Sequence, residues 1–170
     1  KYSSSDSNYY PKGKENNGTL AMIHISNKHN CCGCTACAQV CPKQSIAMQV
    51  DEEGFFYPKV DESSCIDWGL CEKVCPCLNI AAEHQPEKAM SYSHDDKTVL
   101  QASSSGGMFT MLAEKTISAG GIVFGARFDE KWNVVHAYCE TMEDLAAFRG
   151  SKYVQSKMDD VYHDAERFLK

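Results

Sequence analysis

The chain has 170 residues, 43% of them hydrophobic, enough for one moderate core plus a small metal-organised module. Its net charge of −6, from 17 basic and 23 acidic residues without a basic stripe, argues against nucleic acid as a partner. Ten cysteines, eight of them inside two runs and with no apolar secretory segment ahead, argue against a secreted disulfide scaffold and for a reducing cytoplasm, and no stretch approaches the ~20 apolar residues of a membrane span.

Residues 1–18 are rich in Ser, Asn, Tyr, Lys and Gly without periodicity, which predicts a poorly ordered lead-in. Thr19 to Ile25 reads as a short strand delivering the chain to the first cysteine loop. Residues 31–42 then contain the run C-x2-C-x2-C-x3-C-P as Cys31, Cys34, Cys37, Cys41 and Pro42, the spacing with which bacterial ferredoxins hold iron–sulfur clusters. Three thiolates two residues apart fit a tight loop around one face of a cluster. The fourth, set off by three residues and a proline, points elsewhere, and in two-cluster ferredoxins it ligates the other cluster.

Ile46 to Val50 and Phe55 to Val60, joined by a turn at Glu53-Gly54, predict a hairpin between the two runs. The second run, Cys65, Cys71, Cys75 and Pro76, repeats the grammar with one departure: Trp68 stands where the second cysteine belongs. Gly69 is matched here to the turn chemistry of Gly33. If the ligands cross, the first site takes Cys31, Cys34, Cys37 and Cys75, and the second takes Cys41, Cys65 and Cys71. Indole has an N–H and no lone pair for iron, so Trp68 does not replace the missing sulfur. Four readings follow for the second site: a 3Fe–4S cluster, which is preferred; a 4Fe–4S cluster with water or Asp67 on the unique iron; substitution by Cys77; or an empty site.

Paired C-x2-C spacing also suits tetrahedral zinc, but zinc needs no third step followed by x3-C-P, and here the run occurs twice. Cys32 lies outside the ligand register and reads as a small filler, as does Cys77 unless it substitutes at the second site; Cys139 reads as a core residue. Each run is expected to end in a short helix whose start lies near its cluster, so that backbone N–H groups stabilise the anionic core. The expectation for residues 19–80 is an α+β, ferredoxin-like two-cluster module in which the clusters supply much of the folding energy.

Residues 81–100 read as a connector with at most one short strand around Met90 to Ser93. Residues 101–170 read as the start of an α/β domain. In it, Met108, Phe109, Met111, Leu112 and Ile117 describe an amphipathic helix with a serine cap before it and a break at Gly120-Gly121. A buried strand over Gly121 to Phe128, a hairpin partner over Asn133 to Cys139 and a helix starting over Thr141 to Phe148 follow. Met108 and Met111 read as core fillers, and Asp159, Asp160 and His163 as the exposed face of a last helix. Glycines directly after serines suit a phosphate or a flat ring, or simply an ordinary capped helix. The segment from Arg149 to Ser156 offers cations, a phenol and an amide, or a solvated loop. The six histidines fall at no metal-ligand spacing, and no nucleophile–base pair is evident.

The two-run module followed by SSSGGMFTMLAEKTISAGGIVFGARF and FRGSKYVQS resembles the beta-subunit family of coenzyme F420 hydrogenases and dehydrogenases over roughly residues 28–170. The resemblance implies an iron–sulfur flavoprotein relaying electrons between clusters, FAD and a deazaflavin or another small-molecule donor or acceptor, with a redox partner protein or subunit. It also implies that Ser104, Ser105, Gly106 and Gly107, with Lys152, Tyr153 and Gln155, help to line a flavin site. The sequence stops before the family's later GTPCQ-like segment and C-terminal half, so a truncated chain is expected, as part of an oxidoreductase. The rivals are a free-standing ferredoxin-type electron carrier, and an iron or redox sensor with a labile second cluster.

Overall fold

The computed structural model describes residues 22–82 and 84–170, and the chain divides into two compact units between Glu83 and His84. The expected lead-in over residues 1–18 and the start of the expected strand at Thr19 lie outside the described residues. Residues 22–25 form no strand. Instead Ile23 is buried and its N–H donates to the Cys71 sulfur at 3.3 Å, so this segment is held by the second cysteine run.

The first unit contains helix α1 (Ala36–Gln39), strands β1 (Ile46–Val50) and β2 (Phe56–Val60), and helix α2 (Leu70–Lys73). The strands form the expected hairpin, in the register Ile46 opposite Val60 and Val50 opposite Phe56. Its turn is organised by Asp51, whose carboxylate accepts from the N–H groups of Glu53 at 3.0 Å and Phe55 at 2.9 Å, while Gly54 takes φ +90°.

The two cysteine runs repeat in backbone as well as in sequence, 34 positions apart. Gly33 and Asp67 are left-handed at φ 63° and 53°, and each donates its N–H to the sulfur two residues earlier at 3.4 Å. Thr35 and Gly69 are left-handed at 61° and 66° and open α1 and α2. The counterpart of Gly69 is therefore Thr35, and that of Gly33 is Asp67, which corrects the alignment read from the sequence. Two non-glycine residues, Thr35 and Asp67, hold a conformation that costs about 1 kcal/mol each, because the loop must turn its amides towards sulfur. α1 and α2 have four residues apiece, too short for a macrodipole, so individual amides and not helix starts serve the sulfurs.

The core of this unit is Ile23, Cys37, Ile46, Cys71 and Cys75, with Ile25, Ala38, Cys41, Val60 and Cys77 packed around it. Three of its five buried members are cysteines of the two runs. Hydrocarbon is scarce in this core, the condition under which a small module leans on bound metal.

The second unit contains α3 (Lys97–Gln101), α4 (Met108–Ser118), strands β3 (Val123–Phe128) and β4 (Val134–Cys139), and α5 (Val161–Leu169). α3 lies where a connector is expected. Asp96 caps it, accepting from the Thr98 N–H at 2.7 Å. No strand forms over residues 90–93; that stretch runs against Gly106 instead, and the His94 N–H donates to the Gly106 carbonyl at 2.8 Å.

No serine caps α4. Its N-cap is Gly107 at φ +80°, and Ser103 donates instead to the Val99 carbonyl at 2.7 Å. α4 ends as expected at Gly120, whose N–H donates to Ile117 while that of Gly121 donates to Thr116, the Schellman pattern. The buried residues of α4 are Thr110 and Ala113, with Ile117 packed on the core. Met108, Phe109 and Leu112 are exposed and Met111 is half-buried, so the expected apolar face is not the one turned inward, and Met108 is no core filler.

β3 and β4 pair antiparallel from Val123–Cys139 to Phe128–Val134, and Lys157 extends β4's edge through a bridge to Val135. β3 is half-buried, not buried, because a two-stranded sheet covers only one of its faces. The expected helix after Thr141 is a single 3-10 turn over Asp144–Phe148, inserting Leu145 and Phe148 into a core with Ala113 and Cys139. On the sheet, Phe124, Tyr138 and Phe168 of α5 stack with centroids 4.9 to 6.2 Å apart, and Arg167 lies over two of the rings. Asp159, Asp160 and His163 are exposed, but only His163 lies on the last helix: Asp160 is its N-cap, and Asp159, at φ 35°, is in the turn before it. The α+β class holds for the first unit; the second, expected as the start of an α/β domain, shows among its described residues a two-stranded antiparallel sheet and no parallel pairing between its strands.

Candidate functional site

Two cavities of the first unit are ringed by cysteines. The first is lined by Cys31, Cys34 and Cys37 of the first run together with Cys75 of the second, and also by Cys32 and Cys77. The second is lined by Cys41 of the first run with Cys65 and Cys71 of the second, and by Asp67 and Trp68. The fourth cysteine of each run thus lies on the other run's cavity, because x3-C-P carries the chain past its own loop. Cys77 lines the first cavity and not the second, so its substitution for the missing ligand finds no support in the geometry.

Among the described residues, no three His, Cys, Asp or Glu side chains converge on a single metal-ion position. The sulfurs ring cavities, which suits a polynuclear cluster several atoms across better than one zinc ion. Burial, then the neighbouring Cys34 and Cys31 sulfurs, push the Cys37 thiol up to about 12. Burial likewise raises Cys31, Cys34 and Cys71. A pocket that so disfavours bare thiolates suits cations that bind the sulfurs.

The donors to sulfur are already in place: Gly33 N–H to Cys31, Asp67 N–H to Cys65, Ser45 N–H to Cys41 at 3.4 Å and Ile23 N–H to Cys71. At Cys41 burial raises the pKa, but the N–H groups of Ser45 and Lys43 outweigh it and the net shift is downward. Ser45 is buried, and its side chain, like its N–H, meets the Cys41 sulfur from the turn between Lys43 and Ile46, two residues that line the second cavity. Trp68 is 57% exposed, so the position without a thiolate faces solvent. The spacing of the cysteines announced the sulfurs; nothing local announced the Ile23 donor, which reaches Cys71 across 48 positions only through folding.

In the second unit a cavity of about 350 Å3 is lined by Met90, Tyr92, Ser103–Thr110, Arg149 and Gly150. Ser104, Ser105, Gly106 and Gly107 belong to this lining, while Lys152, Tyr153 and Gln155 do not. Lys152 donates to the carbonyls of Arg149 at 2.8 Å and Ala147 at 3.3 Å, and burial lowers its pKa. Tyr153 is 93% exposed, and Gln155 is half-buried. The cation that does line the cavity is Arg149, whose Nε donates to the buried Thr110 hydroxyl at 3.2 Å and whose NH2 lies 3.9 Å from Glu114. The glycine pair has an internal role as well. A Cβ on Gly106 would lie 2.1 Å from the Tyr92 carbonyl oxygen, and one on Gly107 would lie 3.0 Å from the His94 Cβ. The polypeptide that comes close to these glycines is the chain's own.

Residues 30–79 match the family model of the 4Fe-4S dicluster domain. Residues 90–162 match that of coenzyme F420 hydrogenase/dehydrogenase, beta subunit N-term. The two matches, in this order, agree with the family resemblance seen in the sequence, and they support an iron–sulfur electron-transfer role. No curated protein matches the sequence. Among the described residues no helix is long and apolar enough to cross a membrane.

Proposed function

We propose that this chain is the iron–sulfur part of a flavin-dependent oxidoreductase, relaying electrons between its clusters and FAD and working with a redox partner protein. The observation that carries the reading is the gathering of Cys31, Cys34, Cys37 and Cys75 around one cavity. Four thiolates fit a 4Fe–4S cluster there, and the three at Cys41, Cys65 and Cys71 fit a 3Fe–4S cluster. When bound, the clusters carry single electrons and the flavin couples one-electron to two-electron chemistry with an organic donor or acceptor.

The chain's own contribution is positional. The N–H groups of Gly33, Asp67, Ser45 and Ile23 point at ligand sulfurs and spread their negative charge, which raises the potential of whatever those sulfurs hold. Ile23, Met48 and Pro58 wall the first cavity and keep water from it. In the second unit, Arg149 with Ser104 and Ser105 offers charge and hydroxyls for an anionic group, while Tyr92, Met108 and Phe109 offer surface for a flat ring. That mixture suits a flavin nucleotide, with Lys152, Tyr153 and Gln155 serving the neighbouring loop.

The test is anaerobic purification with iron, sulfide and flavin quantification and electron paramagnetic resonance. About seven irons match the proposal, about eight mean a completed second site, and about four mean an empty one. Chain carrying the cysteine-held iron but never FAD, even with the family's C-terminal half attached, would sink the flavin relay and leave a ferredoxin-type carrier. The exposed Trp68 favours one second reading, a sensor whose open second site loses iron on oxidation; reversible iron loss coupled to altered partner binding is its signature.

A further inference from the structure

The first cavity carries two thiols beyond the four in ligand register. Cys32 is exposed and Cys77 is half-buried, and both belong to the cavity lining. Cys32 lies in the first run and Cys77 just past the second, yet the two side chains are hydrogen-bonded neighbours and the Cys77 sulfur also faces the Cys32 backbone N–H; the Cys32 side chain meets that of Cys34 as well. The repeat gives neither a sulfur counterpart: 34 positions along, Cys32 maps to Ile66 and Cys77 back to Lys43. The pair therefore belongs to the first site alone and is no part of the duplicated ligand pattern.

From this juxtaposition we infer that Cys32 and Cys77 form a redox-active dithiol that closes to a disulfide beside the first cluster site, taking small-molecule disulfides as its oxidant. The exposed Cys32 sulfur attacks one sulfur of the small disulfide. That S–S bond breaks, a Cys32–S–S bond forms, and one small thiol leaves with the proton Cys32 gave up. The Cys77 sulfur then attacks the Cys32 sulfur, and the second small thiol leaves with the Cys77 proton. Two protein thiols are oxidised to one disulfide and one small disulfide is reduced to two thiols.

The bond ties the loop of Cys31 and Cys34 to the segment just after Cys75. Those stretches otherwise meet only through their packing and through the metal they share. The disulfide is a clasp that keeps the ligand set assembled under oxidising conditions. It is independent of the flavin reading.

Anaerobically purified full chain with its iron in place, treated with oxidised glutathione, denatured in alkylating reagent and mapped by mass spectrometry, tests this. The expected product is one linked peptide pair joining Cys32 to Cys77. Cys77→Ser should hold Cys32 as a glutathione mixed disulfide, and Cys32→Ser should be little modified. Both variants should keep wild-type iron. The oxidised wild type should release iron to a chelator about tenfold more slowly than the reduced protein, and Cys77→Ser should show no such difference. The inference is overturned by absence of the Cys32–Cys77 pair in iron-loaded protein, by iron loss in either variant, which would make that residue a ligand, or by iron release that ignores oxidation.

Discussion

Trp68 sits at the backbone position of Cys34 in the repeated run, between left-handed Asp67 and Gly69 just as Cys34 sits between left-handed Gly33 and Thr35. The second loop therefore keeps the shape that presents a ligand while lacking the ligand.

Trp68→Cys should complete the second site without rebuilding the loop. Bound iron should rise by about one atom per chain, and the paramagnetic signal of an oxidised 3Fe–4S cluster should disappear. Unchanged iron at about four would mean that this site holds no cluster in either protein.

Cys34→Ser removes a lining sulfur of the first cavity from a unit whose buried core is largely cysteine. Loss of essentially all the bound iron and unfolding of residues 22–82 is expected, because both sites share this unit and the metal supplies folding energy that the few apolar residues do not. Native-like circular dichroism of this unit in iron-free mutant protein would contradict it.

Gly106→Ala should destabilise the second unit by about 3 kcal/mol, since a rigid Cβ would meet the Tyr92 carbonyl oxygen at 2.1 Å. Hydrogen exchange over α4 reads this directly. Exchange at the wild-type rate would mean that the 92–94 segment gives way freely.

His136 contacts the Ser156 hydroxyl at 2.5 Å, and burial lowers its pKa from the usual 6.5. The unfolded chain therefore takes up a proton first as pH falls, so stability is lost below about pH 6.5 and is independent of this group above it. Between about pH 7.5 and about pH 5.5 the melting temperature of the second unit should drop by roughly 2 °C more in wild type than in His136→Gln. Equal drops, followed by exchange protection of β4, would remove His136 as the cause.

The hairpin over residues 46–60 and the end of α4 were legible because each rests on a local signal, alternation around a turn in one and a glycine pair in the other. The inward face of α4 was not. Periodicity marks which residues share a face, but Thr110 and Ala113 went inward because Leu145, Phe148 and Arg149 come back over them from far along the chain.

The sequence by itself determined the chemistry: cysteine spacing fixes which sulfurs a short loop can turn to one point, and Trp68 removes a lone pair wherever the loop goes. Only tertiary structure decided the company those groups keep. It seated Cys77 beside Cys32 at the first cavity, put Arg149 and not Lys152 on the second unit's cavity, and set Tyr92 against Gly106. Bond lengths and backbone rotations limit what neighbours in sequence can do, whereas contacts across tens of residues exist only once burial of the whole unit offsets the entropy of bringing them together.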